Sequence, residues 1–165
     1  MKSSNKQHEV IDWSLPVIGC QEAVQLPELS IKVIAKVDTG ARSSALHARD
    51  IEVFSKGKKK MVRFRVEPYM TSNIQTEYIE AHLLEQRIVK SSNGQTELRP
   101  VIRTTLKLGG ETFEIELTLT NRELMGYAML LGRAAISNRF MIHPGKAFLL
   151  SSRPKKRKSP QSLNQ

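Results

Sequence analysis

Two strand-forming runs flank Gly109-Gly110, and they constrain the fold more than any other feature of the chain. Val101-Ile102-Arg103-Thr104-Thr105-Leu106-Lys107-Leu108 and Thr112-Phe113-Glu114-Ile115-Glu116-Leu117-Thr118-Leu119 are rich in β-branched and aliphatic residues, and the paired glycines supply the turn between them. The second run alternates apolar with polar residues, so one of its faces meets solvent. Further short strand signals fall at 31–37, 51–54, 61–66, 76–84 and 148–150, separated by turn-forming residues. A second hairpin places Gly57 between Phe54 and Met61, with Lys56, Lys58, Lys59 and Lys60 at a solvated tip that also protects an edge. One short helix is predicted over 133–138. The class is mostly β, with closed or packed sheets.

A chain of 165 residues is read as one domain with tails: a flexible segment at 1–14, a domain at 15–150 and a basic disordered tail at 151–165. The first ten residues are polar and charged, and no apolar run reaches membrane-spanning length, so the expectation is a soluble cytoplasmic protein. Cys20 is the single cysteine, is expected to be a buried thiol, and has no partner for a disulfide or a thiolate metal site. The net charge of +10 is uneven: Arg153, Lys155, Lys156, Arg157 and Lys158 supply five of the ten charges from a stretch without acids. Pro154-Lys155-Lys156-Arg157-Lys158 matches a nuclear-localisation or polyanion-binding run and is read here as a solvated terminus. With three tyrosines, five phenylalanines, one tryptophan and no recognition motif, nucleic acid is not an expected partner.

The chemistry-bearing stretch is Ile34-Ala35-Lys36-Val37-Asp38-Thr39-Gly40-Ala41, where an apolar β-type run delivers a carboxylate onto a Thr-Gly turn. A carboxylate there can accept N–H bonds from the turn, which orients it and keeps it partly ionised. The tripeptide alone also suits an ordinary turn. A second element is Tyr127-Ala128-Met129-Leu130-Leu131-Gly132-Arg133, an apolar strand ending in Gly-Arg.

Together these elements resemble the retropepsin-like aspartic peptidases, in which an apolar-apolar-Gly strand passes behind the Asp-Thr-Gly loop and supports it. The pattern is most similar to a bacterial and archaeal branch historically labelled "ATP-dependent zinc protease", whose members occur beside ATP-grasp ligases of the RimK type. The matching residues are Ile18-Gly19, Leu26-Pro27-Glu28-Leu29, the block from Lys36 to Ala48, and Asn121-Arg122-Glu123-Leu124-Met125-Gly126-Tyr127 leading into Leu130-Leu131-Gly132-Arg133. Cys20 stands where relatives commonly carry an aromatic residue, and Gly126-Tyr127-Ala128 replaces a commoner Tyr-Pro.

The resemblance implies a closed retropepsin-like β-barrel with its active site at a homodimer interface. Asp12 and Asp50 lack the Thr-Gly context, so a second copy must supply the partner of Asp38. The implied catalytic residues are Asp38, Thr39 and Gly40, with Thr39 locking the two loops across the interface. Leu130, Leu131, Gly132 and Arg133 are the implied loop support, and Ala41 and Arg42 are substrate-binding. A covering flap is expected at 89–97, with Ser91, Ser92, Asn93 and Gly94 at its tip, although the same Asn-Gly signal suits an ordinary surface hairpin. The expected substrate is a peptide or protein, with acidic residues favoured by the basic body. No cofactor or metal is expected, because His47, His82, His143 and Cys20 lack zinc-ligand spacing. The competing function is a peptide-binding dimer of the same fold that does not cleave. The 55–85 insertion has no assigned role.

Overall fold

The computed structural model describes residues 10–70, 78–91, 93–122 and 126–155. Its strands in chain order are β1 (Val17–Ile18), β2 (Gln21–Leu26), β3 (Ile31–Val37), β4 (Ser44–His47), β5 (Arg49–Lys56), β6 (Lys59–Arg65), β7 (Ile79–His82), β8 (Glu85–Lys90), β9 (Thr96–Leu108), β10 (Glu111–Thr120), β11 (Met129–Leu131) and β12 (Met141–Ile142). Among the described residues a single α-helix, α1 (Arg133–Ile136), precedes β12, and short 3-10 turns occupy Pro27–Leu29 and Pro68–Met70.

Hydrogen bonding closes a barrel. The order β10-β4-β11-β3-β2-β9 returns to β10 through the β9–β10 hairpin, and β8 hangs from β9 outside the ring. A closed ring leaves no free edge among its members. Alternation sets the inward face: Ile31, Val33 and Ala35 of β3, Ile102, Leu106 and Leu108 of β9, and Ile115, Leu117 and Leu119 of β10 are buried together. Lys32 and Lys36 of β3 point outward. The Gly109-Gly110 turn joins Leu108 to Glu111 as expected, with Gly109 at φ +58°.

The second hairpin, β5–β6, forms a three-stranded sheet with β7, and Gly57 turns the chain at φ +63°. Val62, Phe64 and Met70 from this region are fully buried in the same core as the barrel strands. The 55–85 insertion therefore closes one side of the core, at about 1.5–3 kcal/mol for each large side chain buried.

The sequence reading missed β1, β2, β4, β8 and β12. Glu22 interrupts the apolar pattern of β2 yet is fully buried, and β4 is buried on both faces, so neither shows the alternation of a half-exposed strand. The expected strand at 76–84 is β7 alone, shorter than read; its first two residues lie outside the described residues. The expected strand at 148–150 does not form. Phe148 adopts φ +54°, which breaks an extended ladder; its N–H still donates to Gln21 O at 2.9 Å, and a side chain holds the residues that follow. Glu22 Oε1 accepts the backbone N–H groups of Gly19, Leu149 and Leu150 at 3.1, 2.8 and 2.9 Å, and Ser151 Oγ donates to its Oε2 at 2.6 Å. Ser151, at the start of the stretch read as tail, is thus bonded to the barrel. Cys20, expected to be buried, is half-buried.

Candidate active site

Asp38 follows the last residue of β3, and the chain returns six residues later as β4. Between these strands lies β11, parallel to β3 through Met129↔Ala35, Leu130↔Lys36 and Leu131↔Val37, and antiparallel to β4 through Met129↔Leu46 and Leu130↔Ala45. The loop at 38–43 therefore hooks around the end of β11, and main-chain bonds hold it there. Asp38 N–H donates to Leu131 O at 2.9 Å, Arg133 N–H to Ala41 O at 2.8 Å, and Ala134 N–H to Arg42 O at 3.0 Å. Gly132 N–H donates to Ser44 Oγ at 3.1 Å, and the Arg133 guanidinium donates to Thr39 O at 2.8 Å.

Within the loop, Gly40 N–H donates to Asp38 Oδ1 at 3.0 Å, and Ala41 N–H reaches Asp38 O at 3.3 Å. The half-buried carboxylate is thus aimed by its own turn. Thr39 is exposed, and its side chain has no hydrogen-bond partner among the described residues.

The β8–β9 hairpin stands over this loop. Its tip is closed by Ser91 N–H to Gln95 O at 2.8 Å, Gly94 N–H to Ser91 O at 3.0 Å, and Gln95 N–H to Asn93 Oδ1 at 3.2 Å. Gly94 has φ +84°, which explains a glycine there. Arg87 of β8 ties the hairpin base to the loop and barrel, donating to Ser43 Oγ at 3.2 Å and Glu116 Oε2 at 2.8 Å, and also to Glu85. Ile88 and Leu98 face each other across the hairpin and are 72% and 59% exposed.

A cavity of about 660 Å³ lies between loop and hairpin. Asp38, Gly40, Ala41 and Arg42 line it from the loop, Ile88 and Ser91 from the hairpin, Leu130 from β11 and Arg133 from the start of α1. Thr39, Leu131, Gly132, Asn93 and Gly94 lie outside this lining, and Ser92 lies outside the described residues. Three lining cations had no assigned role in the sequence reading, Arg87, Arg99 and Arg122, and Lys90 of the expected flap also lines the cavity. Arg122 had a visible signal, because it sits within the Asn121–Tyr127 motif.

Positive charge dominates the cavity wall, and its compensation is uneven. Hydrogen bonds that the Arg87 guanidinium donates to Glu116 and then to Glu85 hold it above its ordinary value. Arg99 is 4% exposed and bonds Glu97 Oε2 at 2.9 Å. Arg42, Lys90 and Arg122 make no ion pair among the described residues. Burial, followed by the adjacent charge of Arg99, pushes the Arg122 guanidinium down, with Glu97 and Asp38 opposing more weakly.

The histidines and cysteine lie apart in role. His47 Nδ1 accepts the Arg122 N–H at 2.9 Å, His143 Nδ1 accepts the Gly145 N–H at 3.1 Å, and His82 is exposed on β7. Among the described residues, no three of His, Cys, Asp and Glu are grouped to hold a metal ion. No described helix is long and apolar enough to cross a membrane.

Comparison with known proteins agrees with this architecture. The chain is 41% identical over 138 residues to a protein of Shewanella pealeana named "Probable alpha-L-glutamate ligase", covering 83% of this chain and 30% of that one. A protein of the same name from Desulfotalea psychrophila is 41% identical over 134 residues, covering 81% and 29%. The chain thus spans less than a third of the length of these curated relatives. A crystal structure of a Legionella pneumophila protein of unknown function matches with a TM-score of 0.66 at 28% identity, covering 82% of this chain and 98% of that one. Residues 17–153 match the RimB-like family, described as retropepsin-like aspartic endopeptidase RimB, and the chain belongs to that family.

Proposed function

We propose that the protein is a homodimeric aspartic endopeptidase in which a water molecule is held between two Asp38 carboxylates, one from each protomer. The observation that carries this reading is the Asp38 turn itself, a half-buried carboxylate oriented by Gly40 N–H, braced from behind by β11 and covered by a hairpin. One such turn per chain means the second carboxylate comes from a second copy across a two-fold axis. Two carboxylates that close share one proton. The charged one takes a proton from the water as it attacks the scissile carbonyl carbon, and the protonated one hydrogen-bonds the carbonyl oxygen. Proton transfer to the leaving nitrogen then completes cleavage. Thr39, exposed beside Asp38, is placed to meet its counterpart, and Gly40 leaves room for the approach.

The substrate in this reading is a peptide carrying carboxylate side chains. The excess of guanidinium groups around a single carboxylate supports that choice, as does the glutamate ligase name of the longer relatives. Sedimentation should give a dimer, and the wild type should cleave a Glu-rich peptide faster than its Gln-rich counterpart at low salt, with the difference shrinking as salt is added. A dimer that binds such peptides without cleaving any would favour the non-catalytic reading.

A further inference from the structure

Three cations in the cavity wall have neither an ion pair nor a side-chain hydrogen bond among the described residues, and they differ in hydration: Arg42 and Lys90 are exposed, whereas Arg122 is half-buried beside Arg99. A solvated cation gains little from an arriving anion, because water already serves it. A partly desolvated guanidinium gains more, and its planar fork suits a carboxylate. Nearby acids are already engaged: Glu97 receives Arg99 at 2.9 Å and the Thr120 hydroxyl at 3.0 Å, while Asp38 receives the Gly40 N–H.

The main chain at Arg122 is held by a buried imidazole. His47 is 8% exposed, at the end of β4, where it pairs in parallel register with Thr120 at the end of β10. Its Nδ1 accepts the Arg122 N–H at 2.9 Å, so that nitrogen carries no hydrogen and the ring hydrogen sits on Nε2. Nε2 lies 3.4 Å from Glu67 Oε1, which Arg49 also holds at 2.6 Å. The ring is therefore held through Nδ1, with Glu67 near its other nitrogen, and its acceptor is spent on the residue that opens into the cavity.

We infer that Arg122 binds a substrate carboxylate beside Asp38 and that His47 is the positioning residue that holds Arg122 there. This rests on the acidic-peptide reading above and adds which residue discriminates and what places it. Arg42 and Lys90 contribute a diffuse field; Arg122 contributes a directed contact. Substituting His47 should thus disturb selectivity even with the Arg122 side chain intact.

The test measures a Glu-rich peptide and its Gln-rich isostere, by fluorescence anisotropy on Asp38→Asn protein and by cleavage on protein with Asp38 intact. Arg122→Gln should weaken binding of the Glu-rich peptide about tenfold or more and change the Gln-rich peptide less than about twofold. In cleavage the loss should fall on KM for the acidic peptide. His47→Leu should shift the same ratio in the same direction, and the double variant should lose little beyond Arg122→Gln alone. His47→Asn, whose Oδ1 stands near the former Nδ1, should restore most of the discrimination, whereas His47→Gln should not; this pair decides the matter if His47→Leu fails to fold. Equal losses on both peptides, or additive effects of the two sites, would overturn the inference. Discrimination in binding without any cleavage would sink the peptidase reading alone, and cleavage indifferent to peptide charge would sink this inference alone.

Discussion

Gly132 approaches the backbone of Ser43 so closely that a Cβ at Gly132 would stand 2.6 Å from the Ser43 carbonyl carbon and oxygen. The end of the β11 segment and the Asp38 loop meet here, and the contact leaves no room for any side chain. Gly132→Ala should push the loop away from β11, costing about 1–3 kcal/mol by overpacking against backbone that cannot swing aside. Thermal denaturation should show the loss, and activity should fall further than stability explains, because Asp38 N–H is bonded to Leu131 O one residue away.

Asp38→Asn keeps the turn and the side-chain volume while removing the ionisable group. Cleavage should drop by roughly a thousandfold or more with fold and dimer retained. Mixing wild-type chains with an excess of Asp38→Asn chains should suppress activity beyond simple dilution, since each mixed dimer lacks one carboxylate. Activity proportional to the wild-type chains present would place the whole catalytic apparatus in one protomer.

Activity should fall on both sides of a pH optimum, on the acid side as both carboxylates of the pair protonate and on the alkaline side as both ionise. A statine-type inhibitor, whose hydroxyl takes the place of the attacking water, should block cleavage, and a chelator should leave it unchanged. Chelator inactivation reversed by zinc, with no response to statine, would transfer the chemistry to a metal centre.

Glu22 is fully buried and receives three main-chain N–H groups and one hydroxyl from two separated segments. Glu22→Ala would strand these donors, and the loss should exceed about 3 kcal/mol at roughly 1–3 kcal/mol per unsatisfied group. Glu22→Gln, which preserves the oxygen serving the three N–H groups, should be milder. Proteolysis near 149–151 should accelerate in the alanine variant, because this carboxylate holds the Leu149 and Leu150 N–H groups and the Ser151 hydroxyl.

Thr104 presents the opposite case: its hydroxyl is buried and has no hydrogen-bond partner among the described residues. Thr104→Val removes the desolvated oxygen in a side chain of similar shape and should raise stability by about 1 kcal/mol. A lowered denaturation midpoint would point to a partner for that hydroxyl.

Local chemistry determined much of this protein in the sequence alone. The β9–β10 hairpin was legible because alternation and two glycines act over neighbouring residues, and the Asp38 turn was legible because its bonds reach only two residues along the chain. The insertion of β11 between β3 and β4 followed from a resemblance rather than from any pattern in Tyr127–Arg133, since parallel pairing joins segments about ninety positions apart. Only the tertiary structure decided the rest. It made a buried Glu22 the anchor of the C-terminal segment, and it gathered Arg87, Arg99 and Arg122 around one carboxylate. Arg87 and Arg99 come from β8 and β9 and Arg122 from the residues after β10, and their role depends on which charges folding leaves unpaired and partly stripped of water, a quantity that composition and spacing do not contain.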